Sequence, residues 1–271
     1  MKRFVLSAMP NPQGMVRLYE EDYHYLVRVR RLKSGACFDA ILPGGTETRV
    51  RILSTVDNIL IGECLGITEK PANSMPQAVL LPPITLFQGL PRGSRMDLIV
   101  RQAAETGLSV VAPFQAEYST AKLPDSEKIK RWERIVREAR QQSGSATETK
   151  ILLHKDTCAL LGYWASTKKK YQKPLGLLLH QEPLENGTLH GYLCNCPDFV
   201  VIAVGPEGGF SPGEVSQFLA AGFKPLLMGN TVLRTETAAL YGTSAVRTIL
   251  LESKTWTSAP TESCSSKFPL T

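Results

Sequence analysis

The segment Phe199-Val-Val-Ile-Ala-Val204 is an uninterrupted apolar run, and four of its six residues are β-branched. Such a run predicts a parallel strand that is buried on both faces. The turn Gly205-Pro-Glu-Gly-Gly209 follows at once. Ser211-Pro-Gly-Glu214 then supplies an N-cap, a proline in the first turn and a capping-box glutamate. A buried strand, a glycine turn and a capped helix in succession predict an α/β domain with a mainly parallel sheet.

Alternating strand and helix patterns continue on both sides of this segment. Apolar residues at helical spacing predict a helix capped by Ser94, a helix over Ser126–Ser143, and a last helix capped by Thr235 that runs to about Glu252. The predicted strands are Ala78–Leu81, Thr85–Gly89, Ser109–Phe114, Ile151–Leu153, Leu175–Leu179 and Pro225–Met228. The helix over Ser126–Ser143 is predicted to expose a basic face of Lys128, Lys130, Arg131, Arg134, Arg137 and Arg140.

The first 70 residues have a different pattern, with short strand-like runs separated by turn residues. Five such strands with tight turns predict a small β-barrel over residues 1–70. We predict a linker over residues 71–77, followed by an α/β domain over residues 78–252. The Ser-, Thr- and Pro-rich composition of residues 253–271 predicts a disordered tail. The predicted strands of the barrel are Phe4–Ala8, Tyr25–Arg30, Cys37–Leu42, Arg49–Leu53 and Ile59–Cys64.

The chain has 271 residues and a formal charge of +6, and its basic residues are unevenly placed. Between Lys122 and Lys173, thirteen Lys or Arg stand against six Asp or Glu. A second basic cluster, Arg28–Lys33, lies near the N-terminus. Such patches fit the phosphate backbone of RNA, and solvated helix faces explain them equally well.

Cysteine usage and hydropathy exclude several classes of protein. The six cysteines lack the paired spacing of a zinc site, so no metal is predicted. No apolar run has the length of a membrane span, and Lys2–Leu6 reaches Pro10 without the apolar core of a signal peptide. Free thiols then indicate the cytoplasm.

Two loops fall at the carboxyl ends of predicted parallel strands, where such sheets bind ligands. The first is the glycine turn Gly205–Gly209. The second, Met228–Ala238, offers a helix N-terminus, threonine hydroxyl groups and Arg234. Taken separately, the first loop fits a tight strand-to-helix turn better than a ligand site. In the second, Thr235 is equally a helix cap and Arg234 a partner of a structural carboxylate.

The pairing of Val204-Gly-Pro-Glu-Gly-Gly-Phe210 with Val232-Leu-Arg-Thr-Glu-Thr-Ala238 resembles the ribosomal RNA small subunit methyltransferase E family, of the SPOUT class. Other segments resemble the family in the same order along nearly residues 1 to 252. They are His24–Leu32, similar to a PUA-like RNA-binding barrel, Gln102–Gly107 with Pro113, Gln142–Gly144 and Leu179-His180.

This resemblance implies a trefoil-knotted methyltransferase domain and a homodimer, with S-adenosylmethionine as cofactor. The implied reaction transfers a methyl group to N3 of a uridine in small-subunit (16S) ribosomal RNA. Arg234 would stabilise negative charge on the uracil carbonyls, and Glu207 would accept or relay the N3 proton, or else only hold the loops by hydrogen bonds. The implied cofactor-binding residues are Leu179, His180, Gly205, Pro206, Glu207, Gly208, Gly209, Met228, Gly229, Leu233, Thr235, Thr237 and Ala238. The implied RNA-binding residues are Arg28, Arg30, Arg31, Arg134 and Arg137.

The chain departs from the family pattern on the side where RNA is expected. The family's basic residues are replaced by Gln102, Tyr118, Ser145 and Thr231, and a leucine is replaced by Thr106. Two alternatives therefore remain: a catalytically weak RNA-binding or ribosome assembly factor, and an α/β enzyme that uses the glycine turn for another nucleotide.

Overall fold

The computed structural model describes residues 4–6, 8–43, 46–66, 81–184 and 187–253. The predicted linker 71–77 and all but the first residue of the predicted tail 253–271 lie outside these ranges. The N-terminal part is a five-stranded sheet in the order β1-β3-β4-β5-β2, antiparallel except for the β1–β3 pair. Its strands are β1 Phe4–Val5, β2 Met15–Leu18, β3 Cys37–Ile41, β4 Glu47–Val56 and β5 Ile59–Cys64.

The strand predicted over Tyr25–Arg30 is wrong. Helix α1, Glu20–Tyr23, continues into a π-helix over His24–Val29. The apolar residues of this segment alternate as in a strand. However, the buried side chains are Asp22 and Leu26, which lie four residues apart as on a helix. The fifth strand of the sheet is instead β2, which was not predicted.

The second sheet has six parallel strands in the order β11-β9-β10-β6-β7-β8. Its strands are β6 Ile84–Gly89, β7 Val110–Phe114, β8 Lys150–Ile151, β9 Pro174–Leu179, β10 Phe199–Val204 and β11 Phe223–Leu226. The helices are α2 Arg95–Glu105, α3 Ser126–Ser143, α4 Thr157–Thr167, α5 Leu189–Leu193, α6 Pro212–Ala220 and α7 Thr235–Glu252, with a 3₁₀ turn at Lys168–Lys170. The predicted parallel α/β sheet is thus confirmed. Of the predicted strand Ala78–Leu81, only Leu81 is described, and it is not in a strand.

Strand β10 divides the core of this domain into two layers. Val200, Ile202 and Val204 pack with α2, α3 and α7 on one face of the sheet. Phe199, Val201 and Ala203 pack with α4 and α6 on the other face. All six side chains are at most 3% exposed, as the unbroken apolar run predicts.

Of the three predicted helix caps, Ser94, Ser211 and Thr235, the structure confirms only Ser211. The Ser211–Glu214 capping box is formed, and the Asp125 side chain caps α3 by accepting from the Lys128 amide. Ser94 precedes α2 but makes no capping hydrogen bond, because its backbone is not extended (φ −94°, ψ 6°).

We expect His154 to make the fold less stable in acid. Burial lowers the pKa of His154, which follows β8, below its ordinary 6.5. Below about pH 6.5 the unfolded chain therefore binds a proton that the folded chain does not. The free energy of unfolding should then fall as pH drops from 6.5 toward the lower, folded-state pKa. Urea unfolding at several pH values should show a shallower acid slope for His154→Phe than for wild type. The exposed His24→Asn should keep the wild-type slope, and equal slopes for all three proteins would refute this role of His154.

Candidate functional site

A cavity of about 480 Å³ lies at the carboxyl ends of β9, β10 and β11. Of the residues predicted to bind the cofactor or act in catalysis, only Thr237 does not line it. Thr237 is exposed on α7. The residues that the structure brings together are Leu179, His180, Gly205, Pro206, Glu207, Gly208, Gly209, Met228, Gly229, Leu233, Arg234, Thr235 and Ala238. The cavity is also lined by residues that were not assigned, namely Arg95, Gln181, Val204, Phe210, Leu227, Thr231, Val232 and Glu236.

The glycine turn after β10 is so tight that side chains are excluded from it. A Cβ atom on Gly205 would lie 2.9 Å from the carbonyl carbon of Gly209 and 3.0 Å from its Cα. Gly209 itself has φ +70°, a conformation that favours glycine. A Cβ on Gly89, at the end of β6, would lie 2.5 Å from Pro206 Cδ. The turn therefore presents bare backbone to the cavity.

Thr235 joins the two loops. Its hydroxyl donates to the Gly205 carbonyl at 2.6 Å and accepts from Gln88 Nε2 at 2.9 Å. Thr235 is the first residue of α7 and Arg234 is the N-cap, so the predicted capping role of Thr235 is wrong. Gln88, fully buried at the end of β6, was missed by the sequence analysis. A polar residue within an otherwise apolar strand was the available signal.

Glu207 is held by the start of α2. Its Oε1 accepts from the Arg92 amide at 2.9 Å and from Arg95 Nη1 at 2.5 Å. Arg95 also lies 3.5 Å from Glu236 Oε2, so one guanidinium bridges two carboxylates from different loops. These bonds favour the interpretation of Glu207 as a residue that holds the loops. Nothing in the sequence pattern indicated Arg95.

Arg234 is exposed at the cavity. Within the described residues it makes no hydrogen bond and no ion pair. The alternative that Arg234 pairs with a structural carboxylate therefore has no support among these residues. A free guanidinium at a cavity can meet a ligand that carries or develops negative charge.

The basic residues predicted to bind RNA lie in two places. Arg28, Arg30 and Arg31 stand at the end of the π-helix, with Arg28 and Arg31 exposed. Arg134 and Arg137 are exposed on α3, which contacts β1 of the N-terminal sheet. Arg140 does not belong to the exposed face as predicted, because it is only 7% exposed and desolvation lowers its pKa.

Tyr118, one of the departures from the family pattern, lies beside the glycine turn. A Cβ on Gly208 would be 2.9 Å from Tyr118 Cβ, and the Tyr118 side chain remains 45% exposed. This position therefore contacts the site directly, and a change there bears on what can approach the cavity.

The described residues contain no cluster of three or more His, Cys, Asp or Glu that could hold a metal ion. In the same part of the chain, no helix is both long and apolar enough to cross a membrane. All five cysteines that the structure describes are free.

Comparison with known proteins places this site in a family. The sequence model of the RNA methyltransferase domain matches residues 80–247. The ribosomal RNA small subunit methyltransferase E of Synechocystis is 31% identical over 92% of this chain and 78% of its own length. The ribosomal RNA small subunit methyltransferase E of Bacillus subtilis is 27% identical over 83% of this chain and 87% of its own length. A methyltransferase from Legionella pneumophila, solved with SAM bound, is 25% identical with a TM-score of 0.73, over 91% of this chain and 97% of that one. The chain belongs to the ribosomal RNA small subunit methyltransferase E family.

Proposed function

We propose that this protein transfers a methyl group from S-adenosylmethionine to N3 of a uridine in 16S ribosomal RNA. The observation that carries the proposal is that both family loops line one cavity, with the exposed Arg234, which pairs with none of the described residues, beside it. Family membership supports an RNA substrate. The choice of uridine N3 rests on the sequence resemblance.

The cavity suits S-adenosylmethionine in size and lining. Its volume of about 480 Å³ falls in the range of small-molecule sites. Gly205, Gly209 and Gly229 line it without side chains, so a ligand can approach the backbone, and Leu179 and Leu233 offer apolar contact. The remaining predicted cofactor residues are proposed to complete the pocket, except for the exposed Thr237. When bound, this cofactor supplies an electrophilic methyl group on a sulfonium.

Arg234 is proposed to stabilise the negative charge that spreads onto the uracil carbonyls when N3 is deprotonated. The catalytic role of Glu207 stays a prediction. Its hydrogen bonds to the Arg92 amide and Arg95 support its alternative role, holding the glycine turn against α2.

Several further parts of the proposal come from the resemblance: a trefoil knot in the α/β domain, closure of the N-terminal sheet into a PUA-like barrel, a homodimer and a cytoplasmic location. Exposed apolar side chains on α2 and α7, Leu98 and Tyr241, and the exposed Val232 beside the cavity support a second copy of the chain as partner.

The direct test is to incubate the protein with S-adenosylmethionine and small ribosomal subunits from cells that lack it, and then to map modified nucleosides by mass spectrometry. A new N3-methyluridine is expected. Titration calorimetry without RNA separates the alternatives. A protein that binds RNA but not S-adenosylmethionine would be an assembly factor, and one that retains another nucleotide would be a different enzyme.

Salt should weaken RNA binding and leave cofactor binding nearly unchanged. RNA affinity gained through Arg28, Arg31, Arg134 and Arg137 comes from counterion release, so it should fall by about 10²-fold between 50 and 200 mM salt if each arginine neutralises one phosphate. The cavity contacts are mostly backbone and apolar. Filter binding for RNA and calorimetry for the cofactor would measure both. An RNA affinity that does not change with salt concentration would contradict the proposal that these arginines bind the RNA backbone.

A further inference from the structure

The two carboxylates at the cavity differ in what they bind. Glu207 Oε1 accepts hydrogen bonds from two donors, the Arg92 amide and Arg95 Nη1. Glu236, in the first turn of α7, has a side chain that is only 15% exposed. Its Oε2 is buried, and no hydrogen bond from any described residue reaches it. Arg95 Nε lies 3.5 Å from this oxygen, an ion pair that does not form a hydrogen bond.

A buried carboxylate oxygen without a donor needs an explanation, because nearly all buried polar atoms in folded proteins are hydrogen-bonded. Here the oxygen belongs to a residue that lines the cavity. A donor carried by a ligand would satisfy it. The other charged or titratable side chains lining the same cavity are Arg95, Glu207, Arg234 and His180. Glu236 is therefore the carboxylate there with a buried oxygen that is ion-paired with Arg95 but accepts no hydrogen bond from the described residues.

The uracil imide matches this arrangement. Its N3–H is a donor placed between two carbonyl acceptors, and Glu236 and Arg234 offer an acceptor and a donor group two residues apart at the cavity. We propose that Glu236 accepts the N3 proton during methyl transfer, and that Arg95 is a positioning residue that holds the Glu236 carboxylate. This inference rests on the proposed function and names the proton acceptor that it requires.

The proposed step balances. The N3–H bond breaks and its proton moves to Glu236 Oε2, while the electron pair left on N3 forms the new N3–C bond. The methyl carbon leaves sulfur, which keeps the C–S electron pair as a neutral thioether. The protonated carboxyl group returns its proton to water after the product leaves.

The first measurement is the rate of a single turnover. Glu236→Gln keeps the volume of the side chain and removes the base, so the rate should fall about 10²- to 10³-fold at neutral pH, the usual contribution of a positioned base. The dissociation constant for S-adenosylmethionine, measured by calorimetry, should stay within about threefold. Glu252→Gln, at the exposed far end of the same helix α7, is the matched control and should behave as wild type.

Two further measurements distinguish a proton acceptor from a structural residue. The rate of Glu236→Gln should rise with pH and approach that of wild type once the imide ionises by itself. RNA made with 5-fluorouridine has a more acidic N3–H, so it should also narrow the gap between the variant and wild type. A structural defect would be rescued by neither change.

The outcomes separate the two proposals. If wild type methylates N3 and Glu236→Gln is equally fast, or slow without rescue by alkali or 5-fluorouridine, the proton-acceptor role is wrong and the function stands. A variant that loses cofactor affinity in proportion to its rate also overturns the role, because Glu236 would then hold the cofactor. If wild type itself binds S-adenosylmethionine and leaves uridine unmodified, the proposed function fails and this inference fails with it.

Discussion

Replacing Gly205 by alanine is expected to abolish binding of S-adenosylmethionine. The new methyl group would lie 2.9–3.0 Å from two backbone atoms of Gly209, and backbone cannot move aside as the end of a flexible side chain can. The turn must therefore open, and Gly205–Gly209 is one wall of the cavity. The carbonyl of Gly205 also receives the Thr235 hydrogen bond, so the shift would reach the second loop. We expect affinity to fall by about a hundredfold or more, which corresponds to about 2.8 kcal/mol.

Calorimetry with S-adenosylmethionine measures this loss, and thermal unfolding shows whether the fold persists. Gly213→Ala is the matched control, because its Cβ would meet no atom closer than 3.7 Å and it lies in α6, just beyond the same turn. That variant should bind as wild type does. Wild-type affinity in Gly205→Ala would mean that the turn does not shape the cofactor site.

Replacing Arg234 by alanine should remove turnover and spare the cofactor. The side chain is exposed at the cavity and pairs with no described residue, so its loss disturbs little of the fold. If it stabilises charge on the uracil carbonyls, the rate should fall about 10²- to 10³-fold, as when one preorganised donor is removed from a charge-stabilising site. The dissociation constant for S-adenosylmethionine should change less than about threefold.

Single-turnover rates and calorimetry test this separation. Arg234→Lys should recover part of the rate, because lysine retains the charge and loses the planar, forked geometry. Arg101→Ala, at an exposed position of α2, is the control. Equal losses of rate and of cofactor affinity would instead make Arg234 part of the cofactor site.

The sequence predicted features that depend on local pattern. The buried strand Phe199–Val204 and the helix Ser126–Ser143 were predicted with their observed bounds, since an unbroken apolar run and a 3.6-residue period each act over neighbouring residues. Most of the cavity lining followed from two loops at strand ends. The π-helix at His24–Val29 was missed, because its apolar residues alternate as in a strand. Tertiary packing, which a local pattern does not report, stabilises the helix there.

The remaining misses concern contacts between distant parts of the chain. Arg95 bridges Glu207 and Glu236, more than a hundred residues away. Arg140 is buried although it falls on the basic side of α3. It interacts electrostatically with Glu148, which lies after the end of that helix. No spacing rule within one segment reports such contacts.

The Thr235 hydroxyl group also sets an order of events during protein synthesis. It joins Gln88 and Gly205, which lie 147 and 30 residues before it. A nascent chain that ends before Thr235 lacks this link and the wall formed by Met228–Ala238. The sheet strands β6 to β11 are all made earlier, but one layer of the core still lacks the buried side chains of α7 at that point. The newly made enzyme therefore becomes able to bind its methyl donor only when α7 is added.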